Sequence, residues 1–293
     1  MGYSSRYHVA SLAAVFIALA IGILIGAALG SDVVSGTAEN LEEDLRQDLD
    51  QVRAENADLR DELAFEEGFS GQIAPAVIAD RLVAREVALI GLGDVDTATL
   101  TDDVSAALEP AGAELTQVGS VREPPDAEGL IELLVSPAQR RASDDEEQLA
   151  LAAERAGRLL AGPGNVAADL GGTLLSEFSG NPEGLDAAVV VRAQPEDLQP
   201  REASDVEVLE AGLIHGLRDA GVRVVGAERE DTEPSSVEFF DSQGLATVDN
   251  IDQLPGKVAL VLALDGADGT FGVKETADSL LPDLIEPSVA TAG

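Results

Sequence analysis

VASLAAVFIALAIGILIGAALG, residues 9–30, is a run of 22 residues without a charge, and a charged heptad segment follows it directly. As a helix this run is about 33 Å long, enough to cross a hydrocarbon core of roughly 30 Å. It reads as a single transmembrane anchor in contact with the lipid bilayer. The rival reading is a cleaved signal peptide, with Ala27-Ala28-Leu29-Gly30-Ser31 as a loose small-residue cleavage site. Signal cores are usually about 7–15 apolar residues, so the length favours the anchor. Arg6 precedes the run, and Asp32, Glu39, Glu42 and Glu43 follow it. Positive charge stays cytoplasmic, which puts residues 1–8 inside and the bulk of the chain outside the cell membrane, in a single pass. Small residues recur every four positions, ending in Gly22, Gly26 and Gly30, the spacing that lets two membrane helices approach closely.

Residues 31–37 (SDVVSGT) read as a linker, with SDVVSG as a break between two helices. From residue 38 to 67 the apolar positions step by four and three. Ala38, Leu45, Val52 and Leu59 take d positions; Leu49, Asn56 and Leu63 take a. Arg46, Arg53 and Arg60 then fall at e, and Asp48, Glu55 and Glu62 at g. In a parallel pair each g residue faces the next e residue of the partner, giving Asp48 to Arg53 and Glu55 to Arg60, all of opposite sign. A lone Asn at an a position, here Asn56, fixes register and a two-stranded state. A single amphipathic helix packed on its own domain would explain the apolar stripe but not this segregation of sign. The expectation is a parallel homodimer with its interface at Gly22, Gly26, Gly30, Leu45, Leu49, Val52, Arg53, Asn56, Leu59, Arg60 and Leu63. Gly68 to Gly71 (GFSG) is expected to end the coil.

Residues 72–284 remain for an extracytoplasmic domain, and residues 285–293 read as a frayed tail. Apolar content is 45%, enough to build a core, and with no cysteine in the chain its stability must come from packing. The net charge of −37 argues against nucleic acid, whose phosphates need Lys and Arg, and against the domain lying on anionic lipid. Apolar runs suited to buried strands lie at 87–90 (VALI), 115–118, 188–191 (AVVV), 222–225 and 258–264 (VALVLAL). Helical patterns lie at 99–111, 147–160, 166–178 and 205–220, while 140–147 and 194–203 read as exposed loops. This alternation predicts an α/β domain with a mostly parallel sheet.

Gly91-Leu92-Gly93 follows the first strand, where phosphate-binding turns occur. The third glycine of a dinucleotide fingerprint is replaced by Asp96, and Asp94 and Asp96 would repel a phosphate. A strand-to-helix turn is the plain reading. His8 and His215 are the only histidines. His215 sits beside Ile214 and Leu217 in a predicted helix and reads as structural; a Ser-His-Asp hydrolase would have to use it, without a Gly-x-Ser-x-Gly elbow. Soft copper sites need Cys, Met or His, of which the chain offers two His and Met1 alone. The carboxylate pairs Asp94/Asp96, Asp102/Asp103, Asp144/Asp145 and Asp265/Asp268 suit hard cations better, but none has an EF-hand pattern, and each reads as a solvated loop. No catalytic residue, no metal ligand and no cofactor site is expected.

Two stretches carry a resemblance to a known family. One is Tyr7 to Gly30 followed by the coil; the other is TVDNIDQLPGKVALVLAL, residues 247–264, an acidic turn, a Gly-basic pair and an apolar run. Together with the order of anchor, coil and α/β domain, they resemble the actinobacterial family named after mycobacterial copper transport protein B. That family also has a SteB-like, cell-separation branch. The resemblance implies copper transport or homeostasis in the outer envelope; the other branch implies a dimeric scaffold for a second membrane protein. No family ligand residues map onto this chain. An outer-membrane barrel would need repeated alternating strands and aromatic girdles, whereas aromatics make up 3% of the residues.

Overall fold

A computed structural model describes residues 5–164, 170–180, 184–195 and 198–283, with side chains described at 8–28, at 43 and from 45 onward. The chain divides into two units, residues 1–68 and 69–293. One helix, α1 (Ser5–Ile78), enters both. Its stretch from His8 to Ala28 has a mean hydropathy of 2.7 and is long and apolar enough to cross a membrane. The breaks expected at residues 31–37 and at Gly68 to Gly71 are helical instead. A glycine costs a helix only about 1 kcal/mol relative to alanine, too little to end a long one. Pro75 lies inside the last turns, where Ala74 and Ile78 are buried in the domain core and hold the backbone in place.

The second unit is a seven-stranded sheet in the order β3-β2-β1-β4-β5-β6-β7. Its elements after α1 are β1 (Glu86–Leu92), α2 (Thr97–Ala111), β2 (Glu114–Val121), α3 (Ala127–Leu134), α4 (Pro137–Arg140) and α5 (Asp145–Ala161). Then come β3 (Leu175–Gly180), β4 (Ala187–Arg192), α6 (Pro200–Asp219), β5 (Arg223–Ala227), α7 (Val237–Ser242), β6 (Ala246–Val248), α8 (Leu254–Leu264) and β7 (Thr270–Phe271). Every strand pairing is parallel except that of β3 with β2. The mostly parallel α/β domain expected from the sequence is therefore present. Both faces of the sheet are covered, which is why its central strands read as continuous apolar runs. Val87, Leu89, Val189 and Val191 point into one core with α2, α8 and the end of α1. Ala88, Ile90, Ala188 and Val190 point into the other with α3, α5, α6 and α7.

Two expected elements are corrected. VALVLAL, residues 258–264, is not a strand but the body of α8. An apolar run without periodicity is the same signal for a strand and for a helix buried all round. Here the helix lies between the face of β5 and β6 and helix α2, so every side of it is covered and residues 259–264 are at most 1% exposed. The helix expected at 166–178 is corrected at its C-terminal part: Leu170 is helical, 171–174 form a turn, and residues 175–180 form edge strand β3. Residues 166–169 lie outside the described residues, as do 285–293. Apolar residues four apart imitated a helix, but β2 supplies the pairing, and the ring of Phe178 packs where Gly119 has no side chain.

Helices α5 and α6 meet almost backbone to backbone. A Cβ added at Gly212 would lie 2.5 Å from that of Ala153, and one added at Gly157 would lie 2.9 Å from the Cα of Gly216. Three glycines therefore set how closely the two helices approach.

Candidate functional site

In an open parallel sheet, ligands bind where the strand order reverses, outside the carboxyl ends of the strands. Here the order reverses between β1, which is followed by β2 on one side, and β4 on the other. A crevice of about 390 Å³ opens there, lined by Asp94, Asp96, Arg192, Glu228, Arg229 and Thr232 among others. Its position is that of a ligand crevice in such sheets, and its lining carries four carboxylates, Asp94, Asp96, Glu228 and Asp231.

Gly93 makes the turn out of β1 with φ of +78°, a left-handed conformation that suits glycine. Beyond it Asp96 caps α2, accepting hydrogen bonds from Thr99 N at 3.3 Å and Thr99 Oγ1 at 2.7 Å. Those bonds hold its carboxyl below the usual range, the Thr99 hydroxyl contributing most. A helix N-terminus is where a phosphate would sit, and here the chain's own carboxylate occupies it. The cations nearby are also engaged. Arg229 meets Asp103 at 2.5 Å and Asp231 at 3.5 Å. Lys274 Nζ donates to Glu228 Oε1 at 2.5 Å and to Thr232 O at 2.8 Å. Ser235 Oγ and Ser236 N complete the shell of Glu228, at 2.7 Å each. Asp249, also buried, accepts from the backbone N–H groups of Val273 and Lys274 at 2.8 and 2.9 Å.

Arg192, at the end of β4, donates from Nε to Glu210 Oε2 at 2.8 Å and lies 4.3 Å over the ring of Phe239. Both partners are almost fully buried. Burial pushes the Glu210 carboxyl up to about 7, against the opposing pull of Arg192 and with a further push from Glu123 and Glu207. The folded chain thus holds a proton on Glu210 between its unfolded value of 4.5 and about 7. The stability this contributes is fully present below about pH 4.5 and lost as pH rises through about 7, a change on the order of 3 kcal/mol. Urea midpoints at pH 5 and pH 8 should show that loss in the wild type and a markedly smaller one in Glu210→Gln.

The carboxylate pairs considered as cation sites are distributed among structural tasks. Asp144 caps α5, Asp145 pairs with Arg201, Asp103 with Arg229 and Lys257, and Asp268 with Arg223. Asp265 pairs with Arg81 at 3.0 Å, its side chain fully buried. Among the described residues no three His, Asp or Glu side chains converge on a position for a metal ion. His215 is exposed on α6 between buried Ile214 and Gly216, rather than packed in the core. It lines a groove with Asp144, Glu146, Glu147 and Glu154 that carries no serine or threonine.

The expected interface residues lie along α1. Leu45, Leu49, Val52, Leu59 and Leu63 are each more than half exposed. Asn56 Nδ2 donates to Val52 O at 2.9 Å, and Arg53 pairs with Asp50 at 3.2 Å in an exposed contact within the helix. A Cβ added at Gly22 or Gly26 would meet nothing within 4 Å. Gly30 lies in the helix, outside the described side chains. Sequence reasoning missed Arg192, Glu210, Glu228, Asp249 and Lys274. For Arg192, Glu228 and Asp249 the available signal was a charged residue at the end of an otherwise apolar strand, as in AVVVR and ATVD.

Residues 3–282 match the family model described as "Copper transport outer membrane protein, MctB". No curated protein matches the chain.

Proposed function

The chain belongs to the MctB family of copper transport outer membrane proteins, and from that premise we propose that it supports copper transport or homeostasis as a dimeric envelope scaffold that does not itself coordinate the metal. In this reading the N-terminal helix holds the chain in the cell membrane in a single pass, N-terminus inside. A parallel stalk then presents two α/β domains on the outer side to an envelope protein partner. The observation that carries the reading is the heptad stripe: exposed leucines flanked by arginines at e and acids at g, with Asn56 at a. The absence of soft ligands in the sequence, beyond two histidines and Met1, supports an indirect role toward copper. No catalytic role is proposed.

The same stripe supports a second reading, a SteB-like scaffold that binds a membrane partner during cell separation. Cells producing only a Leu49→Asp/Leu59→Asp chain separate the two. The copper reading expects the double variant to lose dimers, seen as loss of the crosslink at an added Asn56→Cys, and to lose copper tolerance with them. Loss of dimers with normal copper tolerance and chained, unseparated cells would favour the second reading. Retained dimers would sink the stalk.

A further inference from the structure

One cation in the switch-point crevice is only partly engaged. Arg192 lines the crevice from the end of β4, and its side chain is 6% exposed. Its Nε is taken by Glu210, and the guanidinium carbon stacks over the Phe239 ring. Nη1 and Nη2 make no hydrogen bond or ion pair among the described residues, and neither is sealed from solvent. A nearly buried guanidinium with both terminal nitrogens open is the fork that receives a carboxylate through two parallel hydrogen bonds. Burial pushes the Glu210 carboxyl up to about 7, so below that pH the charge of Arg192 lacks a full counter-ion.

The carboxylates of the same crevice decide which kind of anion fits. Asp96 is held by Thr99, Asp231 by Arg229, and Glu228 by Lys274, Ser235 and Ser236. Asp94 is exposed and makes no hydrogen bond or ion pair among the described residues. A bare anion such as phosphate would meet four negative groups here. A ligand that carries its own ammonium would instead meet Asp94 with a matching charge. Val95, Leu100 and Val191 supply an apolar part of the lining, suited to a small aliphatic side chain. The volume of about 390 Å³ is at the small end of ligand pockets, which run from roughly 300 to 1,000 Å³.

We propose that this crevice binds a small zwitterion of the amino-acid type, free or as a short peptide, with its carboxylate on Arg192 and its ammonium on Asp94. The proposal goes beyond the scaffold reading and does not depend on the stalk, because one α/β domain holds every residue named. It gives that domain a ligand of its own, at the place where open parallel sheets bind theirs.

Calorimetric titration of the full-length chain in detergent at pH 6 tests this with four probes: L-alanine, L-alanyl-L-alanine, N-acetyl-L-alanine and L-alaninamide. Saturable binding of L-alanine or of the dipeptide is expected, and the tighter of the two tells a free amino acid from a peptide as the source. N-acetyl-L-alanine lacks the ammonium and L-alaninamide the carboxylate, so each should bind at least tenfold more weakly. Asp94→Asn, a change at an exposed side chain, should erase the advantage of the zwitterion over N-acetyl-L-alanine. Arg192→Lys keeps the charge but not the fork and should weaken the zwitterion at least tenfold. Should that variant fail to fold, Asp94→Asn still decides. No saturable binding of either zwitterion up to about 10 mM would overturn the proposal. Equal affinity for N-acetyl-L-alanine in the wild type would overturn it in favour of a plain anion site. Affinities unchanged in Asp94→Asn would overturn the placement of the ammonium, and with it the proposal.

Discussion

Gly216→Leu is expected to destabilise the α/β domain severely. Gly216 sits on α6 where that helix crosses α5, and a Cβ placed there would enter the carbonyl oxygen of Glu154. The obstacle is backbone, which has no rotamer to change. Gly157 and Gly212 make the same close approach on either side, so α6 cannot slide to a looser register without striking another backbone or Ala153. Overpacking a well-packed core typically costs about 1–3 kcal/mol. Here the two helices must separate and strip contacts from Leu213, Leu217, Ala153 and Ala156, all fully buried. A cost above about 4 kcal/mol follows, a large share of the 5–15 kcal/mol by which domains are stable. Gly216→Ala should cost about 2 kcal/mol, its gain in helix propensity of about 1 kcal/mol being outweighed by the clash. Gly71→Ala reverses the sign, because that glycine is helical and a Cβ there meets nothing within 4 Å. Urea unfolding of the three variants, read by far-UV circular dichroism, checks the order; a stable Gly216→Leu chain would show that the helices are not locked.

Asp265→Ala is expected to cost about 3–5 kcal/mol, the usual penalty for removing one partner of a buried ion pair. Asp265 ends α8 with its side chain wholly buried, 3.0 Å from Arg81. Arg81 in turn donates from Nε to Val77 O at 2.9 Å, satisfying one of the free carbonyls at the end of α1. The loss therefore reaches three things at once: a buried guanidinium deprived of the Asp265 carboxylate, the seating of α8 and the last turn of α1. Asp265→Asn keeps an acceptor but not the charge, and should cost about half as much. The measurement is the unfolding midpoint together with amide exchange at residues 77–85, where protection should fall first. An unchanged exchange pattern would show that the pair does not hold the end of α1.

What was legible in the sequence follows from burial. VALI and AVVV could be read as strands because both faces of the sheet are covered, and nothing but continuous apolar character satisfies that position. The same logic misled at VALVLAL, where a helix is covered on every side; Pro255 at its first turn was the available cue. LSEFSG failed for the opposite reason, since an edge strand is mostly exposed and takes its conformation from its neighbour β2. Asp96 was read only for its charge, while its role as a cap was signalled by Thr99 three residues on and by the periodic helix after it. Arg81 with Asp265 and Arg192 with Glu210 could not be read. The first pair is 184 residues apart in the chain, and no local pattern records such a meeting.

The position of Asp96 has a last consequence, in terms of effective concentration. A protein that fills a helix terminus with an anion from solution is stabilised only in proportion to ligand supply, as RT ln(1 + [L]/Kd). Here the anion is three residues from the N–H and hydroxyl it binds, so its supply is fixed by the covalent chain and cannot be diluted. The fold keeps a crevice at the switch point of its sheet while its α2 terminus is saturated from the moment it forms, whatever the surrounding medium contains.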